Sequence, residues 1–150
     1  MADIKSPEER SRNMRAIHSK DTKPELYLRK LLFAEGLRYR KNVQTLPGCP
    51  DMYFPKYRTA VFVNGCYWHR HAGCKYAYTP KSRTEFWQNK FNANIKRDET
   101  VQNELAKMRI KYLIVWECTV RKMMKNKDAE QCAILEILSF LKNEDASKEL

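Results

Sequence analysis

The chain has 150 residues, 43% of them hydrophobic, and 29 lysines and arginines against 18 aspartates and glutamates give a net charge of +11. That length and apolar content suit one domain spanning residues 1–150 with its own core, and no apolar run approaches the roughly 18–20 residues of a membrane span. The N-terminus has no apolar stretch of the secretory kind, so a cytoplasmic protein is expected, and the basic excess favours a polyanion such as nucleic acid over ordinary basic solubility.

Ser6-Pro7-Glu8-Glu9 is a capping box with proline in the first turn, and it predicts a short polar helix to about Ile17. Residues 1–20 then form an arm that is either a loose terminus or a DNA contact. Thr22-Lys23-Pro24-Glu25 repeats the signal, and Leu28, Leu31 and Leu32 carry a helix to Gly36. Residues 37–43 alternate as a half-buried strand. After the turn at Leu46-Pro47-Gly48, residues 51–54 and 59–63 read as a hairpin. A polar loop follows over residues 64–83, then a long helix over 84–109 and a buried strand over 111–116. A basic run at residues 121–127 reads as a solvated face. Asp128 and Gln131 cap a last helix with an Ile134, Leu135, Leu138, Leu141 stripe, and residues 143–150 are expected to fray. This order implies an α/β fold with a mixed central sheet flanked by helices.

Five cysteines, an odd count in a chain without an export signal, argue against a disulfide framework. Cys66, His71 and Cys74 lie within nine residues of one loop, a spacing able to wrap one zinc ion. A fourth ligand is needed, and Cys118, just after a core strand, is the candidate. The alternative is buried free thiols with surface histidines. Cys49 and Cys132 are left over as packing residues.

Asp51 opens a short strand after Pro50, and the next strand ends at Val63-Asn64. Nucleases often hold Mg²⁺ with an acid so placed, although an aspartate after proline is also a common turn residue. No Glu-x-Lys follows on the second strand; the Val63 carbonyl could still take a hard cation. His69, left free by the zinc assignment, is either a general acid–base or a solvated loop histidine. Glu25 either supports a metal-bound water or completes its cap. Tyr67 and Trp68 in the loop and Trp87 in the long helix suit stacking or wedging between bases, against a packing role of the kind assigned to Trp116. Lys90 and Asn94 share a helix face and can both reach base edges.

Together, Asn13-Met-Arg-Ala-Ile17, Leu46-Pro-Gly48, Pro50-Asp51, Gly65-Cys-Tyr-Trp-His69, Arg83-Thr-Glu-Phe-Trp87, Arg97-Asp98 and Leu113-Ile-Val-Trp-Glu-Cys118 make the chain resemble the very-short-patch repair (Vsr) endonucleases. The resemblance implies a restriction-endonuclease-like core and Mg²⁺-dependent nicking of one strand 5′ to the thymine of a T·G mismatch, the product of 5-methylcytosine deamination. It also implies that Asp51, with the Val63 carbonyl, holds Mg²⁺ and that His69 does acid–base work. Glu25 and Asp98 would support the site, and Cys66, His71, Cys74 and Cys118 would hold structural Zn²⁺. Tyr67, Trp68 and Trp87 would intercalate, Met14 would wedge from the opposite groove, and Lys90 and Asn94 would contact the mismatched pair. The partners implied are double-stranded DNA and mismatch-repair proteins, with the enzyme a monomer. The chain departs from better-known members at Val63-Asn64, where they carry Thr-His, and in one extra residue between His71 and Cys74. A restriction-type endonuclease with another target, or a zinc-stabilised DNA-binding protein without catalysis, are the alternatives.

Overall fold

The computed structural model describes residues 22–150. The expected N-terminal helix and Met14 lie outside the described residues.

Helix α1 (Lys23–Ala34) starts where the sequence expects it: Thr22 Oγ1 accepts from the Glu25 N–H at 3.5 Å and Pro24 sits in the first turn. Glu25, Leu28, Arg29 and Leu32 fall on one face and are buried together. Gly36 takes a positive φ of 87°. There Leu37 N–H reaches Leu32 O at 3.2 Å and Gly36 N–H reaches Phe33 O at 3.0 Å, the paired bonds that close a helix on glycine.

Five strands follow, β1 (Arg40–Lys41), β2 (Met52–Phe54), β3 (Thr59–Asn64), β4 (Lys111–Trp116) and β5 (Ser147–Glu149), in the spatial order β1-β2-β3-β4-β5. The first three pair antiparallel, while β3–β4 and β4–β5 are parallel. Parallel neighbours need crossovers. Helix α2 (Thr84–Lys107) links β3 to β4, and α3 (Glu117–Lys125) with α4 (Lys127–Lys142) links β4 to β5. Alternation along the strands divides the core. Val61, Leu113 and Val115 pack with Leu28, Leu32, Val120, Met123, Ile137 and Phe140. Ala60 and Phe62 meet Val101 and Leu105 of α2 on the other face. The mixed sheet is therefore covered by helices on both sides, and none of the described helices is long and apolar enough to cross a membrane.

Several expectations need correction. The strand expected over 37–43 shrinks to Arg40–Lys41, because Leu37 belongs to the α1 closure and Asn42 turns to a φ of 49°. The basic run is the solvated face expected, with Arg121, Lys122, Lys125 and Lys127 exposed, but the sequence reading missed that its first part is a helix, α3, which buries Val120 and Met123. Asn126, not Asp128, caps α4, its side chain accepting from the Asp128 and Ala129 N–H groups at 2.9 and 3.1 Å. Leu135 points to solvent, and Ala133, Ile134, Ile137, Phe140 and Leu141 make the buried face. Cys132 is exposed and so is not a packing residue. The tail does not fray: Tyr112 N–H bonds Ala146 O, Leu150 N–H bonds Ile114 O and Trp116 N–H bonds Leu150 O at 2.9–3.2 Å, which makes it the fifth strand.

Candidate active site and metal centre

Two groups of polar residues meet where β3 ends. Asp51 stands just before β2, and its Oδ2 accepts the Val63 N–H of β3 at 2.6 Å. In an extended strand a residue's N–H and C=O leave by the same edge, so the Val63 carbonyl lies on the Asp51 side. Glu25 of α1 is buried against the same carboxyl, and Arg29, one turn on, joins Glu25 Oε2 at 3.4 Å, Asn42 Oδ1 at 3.0 Å and the Asp51 carbonyl at 3.4 Å. Burial pushes Asp51 from 3.8 up to about 7; the Val63 N–H and Arg29 oppose the rise, and the Glu25 charge adds to it. A buried carboxyl beside a second carboxyl and a strand carbonyl has the chemistry of a hard-cation ligand.

The second group faces a cleft of about 210 Å³ lined by Asn64, His69, Arg97, Asp98 and Gln102 over the floor of Phe62 and Ile114. His69 Nδ1 lies 2.7 Å from Asp98 Oδ2 of α2. A carboxylate there accepts a hydrogen bond from Nδ1–H, which keeps that proton on Nδ1 and leaves Nε2 as the atom that can exchange one with a substrate. Asn64 is buried at the end of β3 and lines the same cleft.

The loop after β3 carries the thiols. The ligand atoms of Cys66, His71, Cys74 and Cys118 all lie within 4.8 Å of one another. Four ligands at zinc's bond lengths stand roughly 3.8 Å apart around a tetrahedral ion, so this set can close on one metal with little movement. Cys118 arrives in the first turn of α3, where its N–H donates to Cys66 Sγ at 3.4 Å, and its own Sγ is 3.5 Å from His71 Nδ1. The His71 ring is fixed by stacking on Trp116, 4.1 Å between centroids and 6° from parallel. Burial pushes the Cys66 thiol up to about 12, with the neighbouring thiols adding to the rise and the Cys118 N–H opposing it. Burial also acts against the Cys74 thiolate, but N–H donors from Tyr76 and Ala77 and the neighbouring thiols outweigh it and pull this thiol down. A bound cation removes the conflict by holding all the thiols deprotonated.

The aromatics form one cluster. Tyr67 meets Trp68 at 5.0 Å, Trp87 at 5.9 Å and Phe91 at 5.3 Å, and Trp68 lies 6.0 Å from Trp87. Tyr67, Trp68 and Trp87 are each only half-buried. Lys90 stands over the Trp68 ring at 5.6 Å, and Asn94 Nδ2 donates to the Trp68 carbonyl at 3.1 Å.

A family model described as DNA mismatch endonuclease Vsr matches residues 2–75. The type II nicking enzyme V.NmeAIP of Neisseria meningitidis is 46% identical over 121 residues, covering 81% of this chain and 86% of that protein. The DNA mismatch endonuclease Vsr of Escherichia coli is 41% identical over 128 residues, 85% of this chain and 81% of its own length. The chain belongs to the Vsr family. The type II nicking enzyme V.XorIIP of Xanthomonas oryzae adds 42% identity over 118 residues, 79% and 86% of the two chains.

Within this Vsr-family endonuclease, the expected residues gather as two groups joined by β3. Glu25, Asp51 and Val63 are on one side; His69, Asp98 and the four-ligand cluster are on the other, with Lys90, Asn94 and the aromatics beyond them. Two residues escaped the sequence reading. Arg29 is buried among Glu25, Asn42 and Asp51, and its i,i+4 spacing from Glu25 was the available signal. Arg70 has a φ of 53°, donates to the carbonyls of Tyr67, Ala77 and Tyr78 at 2.9–3.3 Å, and lies 3.9 Å from the centroid of Phe91. It ties the thiol loop to α2, yet in sequence it is one more basic residue beside a histidine.

Proposed function

We propose that this endonuclease nicks one strand of duplex DNA 5′ to the thymine of a T·G mismatch by Mg²⁺-dependent hydrolysis. The observation that carries the reading is the His69–Asp98 pair at 2.7 Å, opening on a cleft beside the strand whose end meets the raised Asp51 carboxyl. A binding protein needs neither. The family resemblance supplies the T·G target and the side of the nick, and the relatives named as nicking enzymes favour cutting one strand.

A hard divalent cation on Asp51 and the Val63 carbonyl would neutralise charge on the scissile phosphate and make water a better nucleophile. His69 takes the water proton at Nε2 as the water oxygen bonds to phosphorus, the P–O bond to the leaving sugar oxygen breaks, and that oxygen takes a proton from solvent to leave as a hydroxyl. Asp98 holds the imidazole in the tautomer that permits this and balances its charge once protonated. Glu25 and Arg29 set the direction of Asp51. Cys66, His71, Cys74 and Cys118 would hold structural Zn²⁺, which would stiffen the loop and supply no chemistry to the reaction. Tyr67, Trp68 and Trp87 stack on the bases beside the mismatch, Lys90 and Asn94 approach the mismatched pair, and Met14 enters from the other groove.

The mixed sheet serves as a restriction-endonuclease-like core within one domain, and the enzyme acts as a cytoplasmic monomer that hands its nick to repair proteins. Labelled duplexes bearing T·G, C·G or T·A pairs, incubated with and without Mg²⁺, test the reading. Nicking confined to T·G with Mg²⁺ is expected. Equal cleavage of all three refutes mismatch specificity, and no cleavage by folded, metal-loaded protein refutes the enzyme.

A further inference from the structure

The basic run on α3 takes no part in the chemistry above. Its cations line a cleft of about 440 Å³ between α3 and the thiol loop, with Lys75 and Tyr76 on one wall and Arg121, Lys122 and Lys125 on the other. Arg121 is paired with Glu117 and lies 5.1 Å from the Tyr76 ring, and Lys75 stands 5.2 Å from the same ring. None of Lys75, Lys122 and Lys125 has a carboxylate partner among the described residues, and no acidic side chain lines the cleft. The helix dipole explains cations in the last turn of α3. It does not explain Lys75, which a different segment brings to face them.

We propose that this cleft is a second DNA site, which receives backbone phosphates of the duplex to one side of the scissile position. The proposal rests on the DNA-nicking reading above. Reach supports it. Tyr78 packs on Tyr67 of the aromatic cluster at 5.1 Å, and Tyr76 of the cleft is two residues away. Two residues span at most about 7 Å, which is two base-pair steps of duplex at about 3.4 Å each. Phosphates two or three base pairs from bases stacked on Tyr67 and Trp68 are therefore within reach of the cleft, where Lys75, Lys122 and Lys125 can meet them. Cys74 and Cys118 also line the cleft, so the metal they would share sets the distance between Lys75 and α3. The contacts are to phosphate, so they add affinity without reading sequence.

The test uses the whole, metal-loaded protein and binding to labelled T·G and fully matched duplexes over a range of salt. Lys122→Gln/Lys125→Gln is compared with Lys56→Gln/Lys107→Gln. The second pair removes the same charge from exposed positions at the opposite end of β3 and α2. The slope of log affinity against log salt should fall by about one to two in the first variant, at about 0.9 per phosphate contact. Its affinity should drop about tenfold on matched and mismatched DNA alike, as expected of phosphate contacts. Its single-turnover nicking rate at saturating protein should match wild type, and the second variant should keep the wild-type slope. A wild-type slope in the first variant, or equal loss in both, overturns the proposal. Binding is read without cleavage, so wild-type protein that binds but never nicks refutes the nicking reading while this test still stands.

Discussion

Asp51→Asn should stabilise the magnesium-free protein at neutral and alkaline pH while abolishing nicking. Burial raises the Asp51 carboxyl from 3.8 to about 7 in the fold. Between those values the folded state holds a proton that the unfolded chain has released, so stability falls as pH rises from about 4 to about 7 and is flat above. At about 1.36 kcal/mol per pH unit the full difference is worth roughly 4 kcal/mol, and the part of Asp51 that faces solvent lowers the expectation to about 2–4 kcal/mol. Asparagine cannot ionise, and its Oδ1 can still accept the Val63 N–H. Urea unfolding of both proteins at about pH 4.5 and about pH 8 should give nearly equal stabilities in acid and a variant more stable by that amount in base. Any metal lost from the thiols in acid is lost from both proteins, so the difference between them is the quantity read. Added Mg²⁺ should stabilise wild type and leave the variant unchanged. Parallel pH dependence in the two proteins would refute the reasoning, and full nicking by the variant would remove Asp51 from the site.

His69→Ala should slow nicking by about 10²–10⁴-fold with DNA affinity nearly unchanged, as single-turnover rates and gel-shift titrations would show. Asp98→Asn should cost less, at most about 10²-fold, and should alter the pH–rate profile, because the carboxylate that fixes His69 Nδ1 is gone; an unaltered profile would count against the pairing. Cys118→Ser should reduce bound zinc from one atom per chain towards none and lower the melting temperature by roughly 10 °C, about 3–5 kcal/mol for a domain of this size. Wild-type metal content in that variant, by atomic spectroscopy, would exclude Cys118 as a ligand. Trp68→Ala should weaken mismatch binding by about 1–3 kcal/mol, the range for one stacked base; equal affinity would return Trp68 to a packing role.

Residues whose chemistry is carried by type and spacing were legible. Cys66, His71 and Cys74 declared themselves, and Cys118 followed from the need for a fourth ligand and a rigid strand end. Thr22, Pro24 and Gly36 bounded α1 because caps are local physics. The misses share a cause in long-range context. Val120 and Met123 sit three apart across the start of a basic run, so the local charge concealed a helix that only packing against α1 and α4 reveals. Ser147-Lys148-Glu149 has no apolar alternation, because an edge strand gains its pairing from backbone bonds to β4 and not from a buried face. Arg29 bonds Asn42 and Asp51 across the fold, and Arg70 bonds carbonyls of its own loop whose positions only the folded loop sets, so neither role shows in residue type alone.

Cys66 follows β3 and Cys118 follows β4, neighbouring parallel strands joined by the whole of α2. One ion bound there would rivet the ends of those strands together and enclose His69 within the fastened loop. Local opening of that loop would then cost nearly as much as unfolding the sheet. In hydrogen exchange, the amides around His69 should be released at the global rate in the metal-loaded protein and at a much faster local rate once a chelator has acted. Metal occupancy would thus set what fraction of the protein holds a formed active site at any moment.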